Sequence, residues 1–269
     1  MEHPLLSRIY EAILNGNYEE LEKMLQAECH DSMFQEHVES LSYKPFWKRL
    51  HPAGERPCMR GGHQMCIDSE DKKIYLFGGW DGQQDLADFW IYDIPHSSWK
   101  CISKDTRLQN GPCPRSCHKI AFFRAKKQIW VLGKYVDPET RANTQLNSDF
   151  FCFDIRKGEW IKISEDTKCE DGPELLYDHQ MVIDEGRGEI YVFGGRVICS
   201  SDETIYSGLY RYSITTKQWT LIRADDKQSD GSVQMKSRIG HSMIFNEKSR
   251  ELYVFAGQRH KDYLKYPFE

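Results

Sequence analysis

The sequence predicts a mainly β fold, an incomplete β-propeller of about three and a half blades preceded by a short α-helical segment. Three observations predict it. First, a histidine recurs at His63, His118, His179 and His241, and a glycine-type position recurs at Gly78, Gly133, Gly194 and Ala256. Both series advance by 55, 61 and 62 residues, so 15 residues separate the two marks in every copy. Second, an apolar run stands before each glycine position, such as Ile74-Tyr75-Leu76-Phe77 and Ile190-Tyr191-Val192-Phe193. Third, an aromatic residue stands seven before a tryptophan in Tyr92 and Trp99, Phe153 and Trp160, and Tyr212 and Trp219. Each unit has room for four short strands parted by polar turns, the content of one blade.

The chain begins differently. Residues 1–43 hold nine acidic and two basic residues, a charge of −7 against −5 for the whole chain. Pro4 suits a first helical position. Leu5, Ile9 and Ile13 follow at helical spacing, beside Leu6, Tyr10 and Leu14. Asn15-Gly16-Asn17 is a stop signal, and Leu21, Met24 and Leu25 mark a second helix. Asp31 or Ser32 offers a cap for a third, with Gln35 completing a capping box and Phe34, Val38 and Leu41 forming its stripe. Helices this short need something to pack on. They are either an appendage docked on the main domain or a small oligomerisation module.

Residues 44–57 read as a linker, with one other possibility. Trp47-Lys48-Arg49-Leu50 resembles the blade-ending stretches Trp99-Lys100-Cys101-Ile102 and Trp160-Ile161-Lys162-Ile163. Residues 46–51 are therefore either extended linker or an outer strand that would complete the last blade of a ring.

The repeats then occupy 58–103, 113–164, 174–223 and, in part, 236–269. The continuous apolar strands fit sheets covered on both faces. Gly78, Gly79, Gly133, Gly194, Gly195 and Gly257 permit a positive φ or a close backbone approach. The late tryptophans and their partner aromatics offer packing surface between blades. Four equivalent histidines argue against catalysis and for buried groups bonding turn backbone. After Ala256 only 13 residues remain, none of them Trp. The fourth blade is thus expected to lack its second half and to leave a raw sheet edge near residues 252–257. On that reading the chain is a fragment, a shortened product, or a subunit that needs a partner.

These marks resemble the kelch repeat: a Gly-Gly after an apolar strand, then a spaced Tyr and Trp. A narrower resemblance is to the muskelin family of kelch proteins. It rests on Met59-Arg60-Gly61-Gly62-His63 through Gly78-Gly79-Trp80-Asp81-Gly82 and Asp88-Phe89-Trp90, and on Ser237-Arg238-Ile239-Gly240-His241 with Ala256-Gly257-Gln258-Arg259. The helices before Tyr43-Lys44-Pro45-Phe46-Trp47 are similar to the CTLH motif of that family. The resemblance implies a non-enzymatic adaptor, a subunit of a CTLH-type ubiquitin ligase assembly that mediates cell adhesion, spreading and cytoskeletal responses. Its implied partners are ligase subunits and cytoskeletal or adhesion-linked proteins, with residues 1–43 as the assembly element. The family's discoidin-like domain and LisH motif are not found, so no LisH-based oligomeric state is implied. Gly133 is followed by Lys134, Ala256 replaces a glycine, and Leu176 stands where the other repeats have Arg.

Composition narrows the function classes. A net charge of −5 argues against a generic nucleic-acid binder. No apolar run approaches the ~18 residues of a membrane span. Nine scattered cysteines, no glycosylation sequon and no signal-peptide pattern indicate a reducing interior, the cytoplasm with the nucleus also open. Cys113, Cys117 and His118 match no zinc spacing, and no cofactor is expected. No acid pair or nucleophile motif stands out, although some kelch propellers act on sugars or oxidise alcohols with copper. A cytoskeleton-binding scaffold independent of any ligase is the other alternative. The loops at 80–88, 134–148 and 196–208 are opened by Trp80, Asp81, Tyr135 and Arg196. These four are candidate protein-binding residues, or else caps on the blade ends.

Overall fold

The structure is a computed structural model of the 269-residue chain. It describes residues 49–52, 54–141, 143, 145–199, 204–225 and 235–259, together with 7–9, 11, 12, 15, 17, 19–21, 23 and 24. The chain divides into two units, Met1–Leu50 and His51–Glu269.

In the first unit, residues 7–9, 11 and 12 are helical, as are 19–21, 23 and 24. Ala12 and Met24 are buried together, with Ile9 and Leu21 against them. Asn17 caps the second segment: its Oδ1 accepts from the Glu20 amide at 3.4 Å, and its Nδ2 donates to the Glu20 carboxylate at 2.8 Å. The third helix expected around Phe34, Val38 and Leu41 lies outside the described residues, as does Trp47. Of the stretch 46–51, residues 49–51 are described and carry no strand.

The second unit is mainly β, with four antiparallel sheets arranged as propeller blades among the described residues. Blade 1 is β1 (Gln64–Asp68), β2 (Lys73–Phe77), β3 (Phe89–Asp93) and β4 (Ser98–Ser103). Blade 2 is β5 (Lys119–Phe123), β6 (Gln128–Leu132), β7 (Phe150–Asp154) and β8 (Glu159–Ser164). Blade 3 is β9 (Leu176–Asp184), β10 (Glu189–Val197), β11 (Leu209–Ser213) and β12 (Gln218–Arg223). Blade 4 shows β13 (Ser242–Asn246) and β14 (Glu251–Phe255) among the described residues. Each sheet runs in chain order, and β1, β5, β9 and β13 stand side by side as the inner strands.

The glycine marks have a steric cause. Gly78, Gly133 and Gly194 adopt φ of 63°, 80° and 74°. A Cβ on them would lie 2.6, 2.4 and 2.5 Å from the carbonyl oxygens of Arg115, Leu176 and Arg238 in the following blade. The same carbonyls accept hydrogen bonds from the next amides along, Gly79 at 2.9 Å, Lys134 at 3.1 Å and Gly195 at 2.9 Å. Each junction is thus a backbone carbonyl seated in a glycine notch. At the second position, Gly79 and Gly195 press on the backbone and Cβ of their own blade's His63 and His179, and Gly257 presses on the Cβ of His241.

Apolar packing fills the junctions. Between blades 1 and 2, Tyr75, Phe77 and Phe89 meet Ile129, Val131, Phe153 and Trp160. Trp160 lies 5.5 Å from both Phe77 and Phe89. Between blades 2 and 3, Trp219 repeats the role against Phe150 at 5.4 Å, and Tyr212 adds an edge contact at 5.1 Å. Tyr92 and Trp99 pair within blade 1 at 5.0 Å. The junction of blades 3 and 4 stacks Tyr191 on Phe245 at 5.7 Å.

A second repeat lies in the linkers. Asp105-Thr106 with Gly111-Pro112, and Asp166-Thr167 with Gly172-Pro173, form matching 3-10 turns at Thr106–Gln109 and Thr167–Glu170. The buried Thr hydroxyls donate to the Pro112 and Pro173 carbonyls at 2.6 and 2.5 Å. Gly111 and Gly172 lie so near Trp160 and Trp219 that a Cβ would stand 2.8 and 2.9 Å from the indoles.

Gly194→Ala is expected to destabilise the protein by about 2–4 kcal/mol, from the left-handed backbone and the blocked carbonyl. Gly82→Ala, where φ is 102° but the space is open, is the control for backbone cost alone. Urea unfolding of both variants is the measurement, and equal losses would contradict the notch.

Candidate protein-interaction face

The loops that follow the glycine positions gather at one end of the blades. Their roots are fixed by an arginine–aspartate latch. In blade 1, Arg60 donates to both Asp88 oxygens at 2.5 and 2.8 Å and to the Gly78 carbonyl at 3.0 Å. In blade 2, Arg115 donates to both Asp149 oxygens at 2.9 Å and to the Gly133 carbonyl at 3.3 Å. The latch ties the start of each inner strand to the residue that opens the third strand, so the intervening loop is held at both ends. Arg115 is fully buried. Burial holds up the Asp149 carboxyl, but the Arg115 guanidinium outweighs it and leaves its pKa below the ordinary value.

Blade 3 has no latch, and it has lost both partners together. Leu176 replaces the arginine, and Gly208 occupies the place before β11 that Asp88 and Asp149 hold before β3 and β7. An apolar residue with a small one leaves no buried charge unpaired, which explains why the departure at Leu176 is tolerated.

The four candidate residues fall into two groups. Trp80 is 45% exposed, and its backbone bridges Gly61 and Asp85. Asp81 closes a turn by accepting from the Gln83 and Gln84 amides at 2.8 and 2.9 Å, and those bonds lower its pKa. Asp81 therefore shapes its loop. Tyr135 makes an edge contact with Tyr177 at 5.2 Å, under the guanidinium of Arg141 at 5.8 Å. Arg196 does not open a loop as the sequence suggests. The nine-residue strands β9 and β10 run on past the glycine pair, and Arg196 pairs with Tyr177 in β9. Burial pulls the Arg196 pKa down, while the Tyr177 and Tyr206 side chains outweigh it and raise it.

Tyr206 in turn lies under Arg259, 4.3 Å from ring to guanidinium carbon. Arg259 is bound to both Asp225 oxygens at 2.9 and 3.0 Å. Tyr135, Tyr177, Arg196, Tyr206 and Arg259 thus form a continuous aromatic–arginine row from blade 2 to blade 4. Trp80 and Asp81 belong to the blade 1 loop instead. Tyr177, Tyr206 and Arg259 were not legible as site residues, because strand register and loop return bring them together.

The inner turns add a second pattern. The residue before each histidine has a left-handed backbone: Gly62 at 62°, Cys117 at 55°, Asp178 at 56° and Gly240 at 66°. The Cys117 amide donates to the Gly62 carbonyl at 2.8 Å, and the Asp178 amide to the Cys117 carbonyl at 3.1 Å. Burial raises the pKa of Asp178 and lowers that of Lys119 beside it. Burial pushes the Cys117 thiol up to about 11. No group of three His, Cys, Asp or Glu positioned for a metal occurs among the described residues. Among these residues, no helix is long and apolar enough to cross a membrane.

The histidines differ from expectation in one respect. His118, His179 and His241 are buried, but the ring nitrogens of His118 and His179 find no protein partner, so they do not bond turn backbone. Their carbon edges serve instead. The Cε1 atoms of His118, His179 and His241 lie against Gly78, Gly133 and Gly194 of the preceding blade. Burial drives all three pKa values down, to about 4 for His241. Arg115, Lys119 and Arg238 nearby act in the same direction.

Comparison with known proteins agrees with this architecture. The family model of the KLHDC2/KLHL20/DRC7 kelch-repeats domain matches residues 26–232. The chain belongs to the kelch-repeat family, whose domains are typically non-enzymatic interaction modules. It is 35% identical over 205 residues to Mei4-dependent protein 6 of Schizosaccharomyces pombe, covering 74% of this chain and 28% of that protein. It is 22% identical over 199 residues to leucine-zipper-like transcriptional regulator 1 of Mus musculus, covering 73% of this chain and 22% of that protein. It is 26% identical over 190 residues to human multiple epidermal growth factor-like domains protein 8, covering 69% and 6%. The chain spans less than a third of the length of these relatives.

Two outcomes follow from this geometry. Asp149→Asn strands the buried Arg115 charge and is expected to cost about 3–5 kcal/mol. The pair Arg115→Leu with Asp149→Gly, copying blade 3, is expected to cost less than either single change. Urea midpoints of the wild type, Asp149→Asn, each single change and the pair test this, and additive losses in the pair would refute it. The histidines set a pH response. Their folded pKa values lie below the unfolded value, so their stability contribution is complete above pH ~6.5 and is lost as pH falls toward 4. Each buried histidine adds a slope of up to about 1.4 kcal/mol per pH unit in that window. A urea midpoint unchanged between pH 7.5 and 5 would contradict it.

Proposed function

We propose that the chain is a non-enzymatic protein-interaction adaptor whose partner is read by the loop face of the propeller. The observation that carries this is the aromatic–arginine row from Tyr135 to Arg259, set on a rigid sheet scaffold. Tyrosine and arginine are the side chains that most often dominate protein interfaces, because they bury large area and keep a polar handle. Trp80, 45% exposed in the blade 1 loop, adds a separate aromatic contact point beside that row.

The finer reading follows the resemblance of the sequence to the muskelin family. In it, the propeller presents a partner or substrate while residues 1–43 join a CTLH-type ubiquitin ligase assembly, in the cytoplasm and also the nucleus. The amphipathic pairing of Ile9, Ala12, Leu21 and Met24 supports an assembly element. The second reading is a scaffold for cytoskeletal or adhesion-linked proteins that acts through the propeller alone.

Co-purification separates these readings. Full-length protein, residues 44–269, and a Tyr135→Ala/Arg196→Ala variant are compared by mass spectrometry, with melting curves to establish folding. The adaptor reading expects the folded double variant to lose a partner that the wild type retains. The ligase reading expects ligase subunits with full-length protein and their loss from 44–269. An identical partner set for wild type and double variant would overturn the loop-face assignment. Cytoskeletal proteins kept by 44–269, with no ligase subunits in any sample, would favour the second reading.

A further inference from the structure

Blade 2 departs from the other repeats at Lys134, which stands where Gly79, Gly195 and Gly257 stand in blades 1, 3 and 4. The fold needs no side chain there. The Lys134 amide donates to the Leu176 carbonyl at 3.1 Å, the bond that the Gly79 and Gly195 amides make to the Arg115 and Arg238 carbonyls at 2.9 Å. The lysine side chain is therefore surplus to blade docking. Its ammonium goes to the sulfur of Cys113, 3.6 Å away, and lies 4.0 Å from the Asp149 carboxylate.

Cys113 faces more than one cation. Arg115, the latch arginine, donates from Nη2 to the same sulfur at 3.4 Å. Arg107 in the linker turn adds a third positive group to its surroundings. Asp149 is the opposing charge, and both its oxygens already accept from Arg115 at 2.9 Å. A sulfur that accepts from a guanidinium and an ammonium together is placed as a thiolate would be, since both bonds strengthen with negative charge on sulfur. In blade 1 the counterpart Cys58 accepts from Arg60 Nη2 at 3.2 Å, but Gly79 brings no ammonium. Cys113 is half-buried, so a small reagent can reach it.

Other cysteines have the opposite surroundings. Burial pushes the Cys66 and Cys152 thiols up to about 12 and Cys117 up to about 11, and it raises Cys101. Cys169 is exposed, but the Asp166 carboxylate beside its sulfur raises its pKa.

We propose that Cys113 and Lys134 form a modification site at which the Cys113 thiolate reacts with hydrogen peroxide, Lys134 being the positioning residue that holds negative charge on the sulfur. The sulfur attacks one peroxide oxygen. An S–O bond forms as the O–O bond breaks. The leaving hydroxide takes up the proton that the thiol released and departs as water. Sulfur is oxidised to the sulfenic acid, and the peroxide is reduced. The product lies against Arg115 and Lys134, at the root of the loop that carries Tyr135, so the oxidation marks the proposed recognition face.

The test treats the full-length protein with dilute hydrogen peroxide and dimedone, which captures sulfenic acids, and reads the labelled cysteines by mass spectrometry. Cys113 is expected to label about tenfold faster than Cys169, although Cys169 is the more exposed. Lys134→Met should slow Cys113 about fivefold or more, and Lys134→Arg should restore most of the rate. The pH midpoint of iodoacetamide alkylation at Cys113 should rise in Lys134→Met, a shift that a purely structural role would not give. Cys152, buried in the core between blades 2 and 3, reports folding by staying unlabelled. The proposal is overturned if wild-type Cys113 labels no faster than Cys169, or if a folded Lys134→Met protein labels at the wild-type rate.

Discussion

The rest of the propeller depends on one contact: a backbone carbonyl lodged in a glycine notch. Gly78, Gly133 and Gly194 each admit the oxygen of a residue in the next blade, and the neighbouring amide binds it. A sheet face is adaptable, and apolar side chains slide and repack at modest cost. A carbonyl between a missing Cβ and an amide donor is not adaptable. It sets the distance and register of each blade on the last, and the aromatic and histidine packing forms within limits already set there. Ala256 stands in the fourth notch with a φ of 59°. Its Cβ occupies the space that the earlier junctions give to a carbonyl, so a blade docked there in the same way would have to shift.

The histidines belong to the same contact. Each presents a carbon edge to a glycine across the junction, where a larger or branched side chain would displace the backbone. Their nitrogens gain little in return, and nearby cations oppose protonation. The junctions are therefore built on neutral imidazoles, which couples blade docking to pH through burial. The linker turns act from the outside. Thr106 and Thr167 fix the chain between blades, and Gly111 and Gly172 let it close over Trp160 and Trp219.

This rigidity suits the loop face to the recognition role proposed for it. Arg60 with Asp88 and Arg115 with Asp149 pin the loops of blades 1 and 2 at both ends. In blade 3 longer strands do the same work, carrying Arg196 into the sheet beside Tyr177. Side chains held in this way lose little conformational freedom on meeting a partner, so more of their contact energy appears as affinity.

Much of the fold was written in the chain as intervals. The constant 15 residues between histidine and glycine reflect a hairpin whose length cannot vary, because both ends meet fixed partners. Apolar runs and the Tyr–Trp spacing placed the strands for the same reason: local period is set by local geometry. The relations that cross variable loops were not legible. Arg60 and Asp88 are 28 residues apart, and Arg115 and Asp149 are 34 apart, so no fixed spacing exposed the latch. The paired loss at Leu176 and Gly208 looked like two unrelated departures until the sheet set them side by side. By itself, then, the sequence determined the repeat, its strands and its class, since these follow from short-range pattern. Only the tertiary structure decided which carbonyl enters which notch, why the histidines stay neutral, and which aromatics and arginines share a face, because those depend on distances between blades.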